Sequence, residues 1–519
     1  MPTLDTFTRF NTVAEMIVSW ALLCLTGLLI FYSYRRILLD HSSRLSRLWF
    51  LPISLLLFSF RQYESILWGF TLLIYMSIFG SVAAFYFLQS SRKLDLWFIL
   101  SCLCGIIASF SFSTGLLVWP IGLFQALISK RRTVSSIILW SLIGVTVWVV
   151  YSYGWTGVSG FSYDYWLSHP VEGIEFFLAN LASPFVFESF WQMAVPCGLA
   201  LALVGLMIII QMQKFRLAKK SIFGLSLIAY SLAASIATTV GRSFVGLPQA
   251  LASRYTPIAT IGVIGLYIVA LTVSKSMRSK SSSFGAYAML ALLFLGLISG
   301  YAGGWQAGQY RHDSMQMSAY VLRTYSMQSN ESIRTYLFPS DPTFVREGAA
   351  FLETQKMNVF SEPSIDISSL PIRNASDAVY AIDTCPSDIP PPIPYGQNPI
   401  AAPCPQHVPT SIHPVAIINS TQETITITGW AVDEKANSVA SAVFIIIDGQ
   451  IIVPTLYGIM RPDVAQSLRA TSLEYSGFIA TFSRSILKAG PHTIQLEIVG
   501  SGSQYAYLTP QIESLIIEN

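Results

Sequence analysis

Long apolar runs broken by short polar stretches fill the chain from residue 12 to residue 303; from 304 onward polar and apolar positions mix as in a water-exposed protein. A helix needs about 20 mainly apolar residues to cross a bilayer. On that rule ten segments are expected to span: 13–33, 48–61, 66–88, 95–112, 115–129, 134–153, 192–212, 221–240, 257–274 and 284–304. Segment 48–61 is short and segment 115–129 contains Pro120. Segments 95–112 and 115–129 are parted only by Ser111–Gly115, which leaves two arrangements open: a tight helical hairpin or a re-entrant pair lining a cavity.

Beyond the apolar part, residues 309–361 read as helical. Asp341 followed by Pro342 predicts a helix start, a capping side chain and then proline at the first helical position, running to about Gln355. Residues 362–413 are rich in proline. From Val415 the period changes to two: Ile425 and Ile427, then Val443, Ile445 and Ile447, then Phe478 to Phe482, then Ile494, Leu496 and Ile498. Asp448-Gly449 predicts a type I′ hairpin turn between the second of these runs and Ile451. The expected fold is therefore an α-helical polytopic membrane domain of about ten spans (1–308), a helical and Pro-rich connector (309–413), and an all-β sandwich (414–519) outside the cytoplasm. Asp463 is expected to cap a short helix, Val464–Arg469, with Arg461 pairing nearby.

Charge sharpens the topology. The chain is 53% hydrophobic and 11% charged, with mean hydropathy +0.54, whereas soluble proteins carry about 25% charged residues. Lys and Arg collect on the cytoplasmic side of membrane proteins. Alternate loops hold sixteen (Arg35, Arg36, Arg44, Arg47; Arg92, Lys93; Lys130, Arg131, Arg132; Lys214, Arg216, Lys219, Lys220; Lys275, Arg278, Lys280). The opposite loops and the N-terminal segment hold four, Arg9, Arg61, Arg242 and Arg254. This alternation supports ten spans with both termini outside, in the cell membrane. No basic face with interleaved aromatics appears, which argues against nucleic acid as a partner.

The outer loops hold the candidate chemistry. One is Arg61-Gln62-Tyr63-Glu64-Ser65-Ile66-Leu67-Trp68-Gly69; the other is Gly241–Pro257, with Arg242 and Arg254. Guanidinium groups grip phosphate through a planar fork of donors, and a carboxylate beside them is suited to take a proton from a hydroxyl nucleophile. Arg61, Arg242 and Arg254 are the candidate phosphate ligands, Glu64 the candidate base, and Tyr63, Trp68, Tyr255 and Asp164 the candidate substrate-lining residues. The loop Trp155–Gln192 is rich in aromatics and has no Lys or Arg, as expected of an interfacial lid or a substrate loop; Glu172–Leu181 reads as a short helix within it. Gly296, Gly300, Gly304 and Gly308 form one bare helical stripe, expected to pack closely against a neighbouring helix. Cys385 and Cys404 are expected to form a disulfide if their loop lies outside. Cys102 and Cys104 lack His or acidic company, so no metal site is expected there. A divalent metal cofactor stays open, with no ligand cluster in the sequence.

Three runs, Gln62-Tyr63-Glu64-Ser65-Ile66-Leu67-Trp68-Gly69-Phe70, Phe112-Ser113-Thr114-Gly115-Leu116-Leu117 with Trp119-Pro120, and Gly241-Arg242 with Ser253-Arg254-Tyr255, resemble bacterial polytopic membrane proteins related to the GT-C glycosyltransferase superfamily. The resemblance covers residues 5–361, including Asn358-Val359-Phe360-Ser361. Gly429-Trp430-Ala431 with Asp433, and Arg461-Pro462-Asp463-Val464, are similar to β-sandwich modules appended to bacterial surface and glycan-related proteins. The resemblance implies inverting transfer of a sugar from a polyprenyl-phosphate donor to a glycan acceptor at the outer face, with Arg242 and Arg254 on the donor phosphate. Such enzymes place an acidic residue in the first outer loop, after the first span. Here Met1-Pro2-Thr3-Leu4-Asp5 comes directly before the first span. Either the start is shortened relative to its relatives or the acid comes from elsewhere, with Glu64 the first candidate and Asp5 the second. The alternative is a non-enzymatic envelope protein, a scaffold or transport component, that presents a glycan-binding β-sandwich.

Overall fold

The computed structural model describes residues 8–38, 48–91, 93–129, 133–154, 163–276, 284–362, 365–383, 416–418 and 422–517. The chain divides into two compact units: Thr12–Arg311, and the N-terminal segment ending at Asn11 together with the chain from His312 onward. The first is helical. Among the described residues six of its helical segments are long and apolar enough to cross a membrane: Thr12–Ile37, Gly69–Ser90, Val134–Ser152, Glu188–Lys214, Ile222–Val245 and Ser253–Ser276. Six such helices are consistent with a multi-pass membrane protein.

The expected span 48–61 is not a span-length helix. It contains a seven-residue helix, Leu51–Leu57, started by Pro52 in its first turn. At 1.5 Å per residue such a helix covers about 10 Å of a core about 30 Å thick. Its backbone nevertheless climbs antiparallel to the first helix: Phe50 meets Phe31, Leu57 lies against Gly27, and Phe58 stacks on Trp20. The segment then breaks into the single turns Phe60–Gln62 and Tyr63–Leu67. Arg61, Gln62 and Glu64 are all buried here, and a regular lipid-facing helix could not carry them without cost.

Leu96–Ser111 and Val118–Ser129 are shorter apolar helices. A tight hairpin joins them. The backbone of Gly115 sits directly on the Ala108 carbonyl, in space any Cβ would need, and Trp119 Nε1 donates to Ser109 Oγ at 3.1 Å. The glycine stripe belongs to a continuous helix, Phe284–Arg323. It packs on loop backbone and single rings rather than on a neighbouring helix: Gly296 faces Phe185, Gly300 faces Ser59, and Gly304 abuts Phe60.

In the second unit, Asp341 caps the Pro342–Thr354 helix by accepting from the amides of Thr343 and Phe344 at 2.9 and 3.3 Å. The strands form two sheets. The first has β10 (Gly490–Val499) at its centre, paired with β6 (Ala442–Ile447) on one side and with β11 (Ala506–Leu508) and β12 (Ile512–Ile517) on the other. β7 (Ile451–Pro454), β1 (Ile372–Arg373) and β3 (Ala416–Ile418) complete it. The second runs β2 (Ala378–Ile382), β4 (Thr424–Asp433), β9 (Gly477–Ser483), β8 (Leu456–Ile459), with β5 (Ser438–Val439) on β4. Inward residues of both sheets, among them Ile425, Phe478, Phe482, Ile445, Leu496 and Ile498, share one core. Strict alternation produced that core, since side chains at i and i+2 share a face.

Asp448 and Gly449 both take positive φ, 52° and 68°, and Gln450 N–H donates to the Ile447 carbonyl at 3.1 Å. That is the type I′ turn. Asp463 does not cap a helix. The short helix is Pro462–Ser467, and the Asp463 carboxylate is instead gripped by Arg461, Nε to Oδ1 at 2.9 Å and NH2 to Oδ2 at 2.8 Å. Arg461 NH1 also reaches Asp383 at 2.8 Å. Asp433, the last residue of β4, is fully buried. It accepts from Tyr505 Oη at 2.6 Å, Tyr507 Oη at 3.0 Å and the amides of Ser501 and Ala436 at 3.0 and 3.1 Å. Burial alone would raise its pKa; these hydrogen bonds outweigh it and hold the carboxyl below the ordinary value.

Candidate functional site

Ser59–Gly69 is a polar segment fastened at many points. Arg61 is buried to 1% exposure. Its Nε donates to the Val186 carbonyl at 3.1 Å, its NH2 to the Leu251 carbonyl, and its guanidinium lies 4.6 Å over the Phe187 ring. Gln62 Nε2 donates to the Leu57 carbonyl at 3.0 Å, and Tyr75 Oη to Gln62 Oε1 at 3.3 Å. Ser253 stitches the two outer loops together: its hydroxyl donates to the Arg61 carbonyl at 2.9 Å and accepts the Glu64 amide at 3.1 Å. Thr71 Oγ1 donates to the Ser65 and Trp68 carbonyls, each at 2.5 Å. Broken backbone leaves amides and carbonyls without helical partners, and these side chains satisfy them.

The fastening sets up one ion pair. Glu64, with a buried side chain, accepts from Arg254 NH1 at 3.1 Å; the Arg254 side chain is 29% exposed. Its guanidinium also lies 5.3 Å from the Tyr255 ring. Glu188, at the start of the Glu188–Met193 turn, is within electrostatic reach of Arg61, Glu64 and Arg254. The pair thus has a buried carboxylate and a partly exposed guanidinium.

Other expected residues fall as follows. Tyr63 lies beside Gly308 and within electrostatic reach of Arg61. Trp68 packs on Phe70, ring centroids 5.4 Å apart, with the Arg311 guanidinium 5.9 Å over its ring. Arg242 is exposed at the C-terminal end of Ile222–Arg242, and the contacts among the described residues do not join it to the Glu64–Arg254 pair. Arg61 is occupied by carbonyls and turned inward, so its geometry is that of a tie rather than of an open phosphate ligand. Glu172–Leu181 lies within a helix, Pro170–Ala182, whose Phe176, Ala179 and Asn180 are buried while Val171 and Ile174 are exposed. Asn180 Nδ2 donates to the Ala250 carbonyl at 3.2 Å, tying this loop to the Arg254 stretch. Asp5, the Asp164 side chain, Cys385 and Cys404 lie outside the described residues.

Sequence reasoning missed Glu15. It is 5% exposed in the first turn of the Thr12–Leu38 helix, and its Oε2 occupies the place a Cβ on Gly69 would need. A lone acid inside the first apolar run was the available signal. Ser253 was missed because a serine in a polar loop carries no pattern. Among the described residues no cluster of three His, Cys, Asp or Glu side chains is placed to hold a metal ion.

Comparison with known proteins leaves this geometry to stand alone: no protein-family model matches the chain, and neither the curated proteins nor the solved structures yield a match.

Proposed function

We propose that this protein is a membrane glycosyltransferase that moves a sugar from a polyprenyl-phosphate donor to a hydroxyl acceptor at the outer face of the cell membrane. The sorting of sixteen cationic residues against four supports ten passes with the β-sandwich outside. The observation that carries the reading is the Glu64–Arg254 pair, buried at the carboxylate and open at the guanidinium.

That asymmetry suits the chemistry. A donor phosphate reaching the site meets Arg254 first and competes with Glu64 for its donors. Arg242, exposed on the neighbouring stretch, is the second cation for it. The released Glu64 carboxylate then accepts the proton of the acceptor hydroxyl. The hydroxyl oxygen forms a bond to the anomeric carbon, the bond from that carbon to the phosphate oxygen breaks, and polyprenyl phosphate leaves with the electron pair. Arg254 stabilises the charge that grows on the leaving phosphate, a contribution that mutagenesis of comparable donors places at about 100- to 1,000-fold in rate.

The test is turnover of a polyprenyl-phosphate sugar by the full chain in lipid nanodiscs. Arg254→Ala should lose about 100-fold or more in kcat while the protein still folds, at a melting temperature lowered by loss of the Glu64 ion pair. Glu64→Gln should lose kcat and retain donor binding. Full activity in a folded Arg254→Ala protein would remove the phosphate role. A wild-type chain that turns over no such donor, yet binds glycan through residues 415–519, would replace the enzyme with a scaffold.

A further inference from the structure

Glu188 is a carboxylate that the proposed reaction leaves without a task. Arg61 fixes where it stands. The guanidinium of this buried residue donates to carbonyls from two distant stretches, Val186 through Nε at 3.1 Å and Leu251 through NH2. The same guanidinium lies 4.6 Å over the Phe187 ring. Val186 and Phe187 are the two residues before Glu188, and Leu251 lies three before Arg254. One side chain thus staples the stretch that carries Glu188 to the stretch that carries Arg254. Phe187 is extended, and its carbonyl accepts the Phe190 amide at 2.9 Å, so Glu188 opens a closed turn. Backbone held in this way gives the carboxylate a defined place.

No bonded partner fills that place. Glu188 is half-buried. Among the described residues no hydrogen bond or ion pair reaches its carboxylate; Arg61, Glu64 and Arg254 act on it through space. The neighbouring guanidinium groups have their own contacts, Arg61 with the two carbonyls and Arg254 NH1 with Glu64 at 3.1 Å. An ionised carboxylate only accepts hydrogen bonds, through two oxygens side by side. Half out of water, it needs donors brought to it. Hydroxyl groups supply them without adding charge, in a cluster where Arg61 and Arg254 already balance Glu64 and Glu188.

We infer that Glu188 reads the sugar of the donor, accepting hydrogen bonds from two adjacent ring hydroxyls of a neutral hexose through its two carboxylate oxygens. The inference rests on the sugar-transfer reading above. In such a donor one oxygen joins the sugar to the phosphate, so the ring hydroxyls lie close to the group that Arg254 grips. Glu188 is the second carboxylate within electrostatic reach of Arg254, and Glu64 is the one paired with it. A sugar with its own carboxylate would meet Glu188 as a like charge and is disfavoured. A carboxylate that served only to balance Arg61 would not tell one sugar hydroxyl from another.

The experiment measures Kd and kcat/KM for the full chain in nanodiscs with polyprenyl-phosphate glucose, galactose and mannose. The hexose that binds most tightly is then compared with its monodeoxy analogues and its uronic-acid form. For wild type, removal of one or two adjacent hydroxyls should cost about 10- to 100-fold in kcat/KM, the scale of a hydrogen bond to a charged group. In Glu188→Ala that penalty should all but vanish, while the penalties for the other hydroxyls stay. The uronic-acid donor should bind at least about 10-fold worse than the hexose to wild type, and the gap should narrow in Glu188→Ala. If Glu188→Ala fails to fold, Glu188→Asp repeats the cycle, keeping the charge that faces Arg61 while drawing the oxygens back. Equal hydroxyl penalties in wild type and variant would overturn the inference and leave the transferase reading standing. Binding without turnover would remove the transferase reading, and the Kd cycle would still decide the role of Glu188. No binding of any of the three hexose donors would overturn both.

Discussion

Arg61 and Arg461 are both buried, one in the membrane unit and one in the sandwich, and they are held in opposite ways. Arg461 faces two carboxylates, Asp463 through a two-bond fork and Asp383 through its third nitrogen. Its donors hold the Asp463 carboxyl below its usual pKa, with burial acting in the opposite sense. The guanidinium charge there is met directly by carboxylates. Arg61 has no carboxylate in direct contact among the described residues. Carbonyls of Val186 and Leu251 and the Phe187 ring receive it, while Glu188 and Glu64 act on it from a distance. The acid beside it, Glu64, is left to Arg254, whose guanidinium is part-exposed. The fork binds its guanidinium through two parallel bonds to one carboxylate, whereas Glu64 meets Arg254 through one nitrogen, NH1. In the sandwich the exposed member of the network is a carboxylate, Asp463; in the membrane unit it is a guanidinium, Arg254.

Breaking the two buried arginines should therefore give unequal effects. Arg61→Met strands two carbonyls and lets the Ser59–Gly69 segment loosen. At about 1.5–3 kcal/mol for each hydrogen bond to a charged group, a loss of about 3 kcal/mol or more is expected. It should appear as the largest drop in melting temperature of detergent-solubilised protein, with loss of any transfer activity through the misplaced Glu64. Arg461→Met should cost less, about 1–3 kcal/mol, because the Asp463 side chain is 57% exposed and regains water while Asp383 is left poorly hydrated. That variant should leave membrane insertion and transfer unchanged. An Arg461→Met loss as large as that of Arg61→Met would dissolve the distinction.

Asp433 sharpens the sandwich side of the comparison and should show the smallest effect at neutral pH. Its native pKa is lowered, so its hydrogen-bonded carboxylate contributes stability that is complete above the unfolded value of about 3.9 and is lost as pH falls through the native value. Wild-type protein should therefore lose stability on acidification below about pH 4. Asp433→Asn should be flatter over that window and less stable by about 1 kcal/mol at pH 7. A parallel pH profile for the two proteins would show that another carboxyl governs the acid limb.

Much of the fold was legible because long-range periodicity is a local signal. Thr12–Leu38, Val134–Ser152, Ala194–Lys214, Ile222–Arg242 and Thr256–Ser276 lie where apolar runs were expected. So do the Asp341 cap, the Asp448-Gly449 turn and the alternating strands. Segment 48–61 misled because apolar content reports burial and not helix length: Pro52 and the polar Arg61 and Gln62 cut the helix short, while neighbouring helices still bury what remains. Asp463 misled for a related reason. A carboxylate near a helix start can serve the amides or a nearby guanidinium, and Arg461 two residues away was the stronger partner.

Hydropathy and the sorting of Lys and Arg pointed to membrane-capable helices followed by a β-rich C-terminal region, because transfer from water depends on composition within a short window. They also drew attention to Glu64 and Arg254, since charge at a membrane boundary is costly wherever it stands. Which charges meet was decided only in three dimensions. Glu64 and Arg254 are 190 residues apart, and Ser253, Asn180 and the carbonyls that hold Arg61 come from other elements. Glu15 met Gly69 in the same way. Contacts of that separation leave no periodic trace along the chain, because they are selected by packing and by the need to satisfy each buried polar atom.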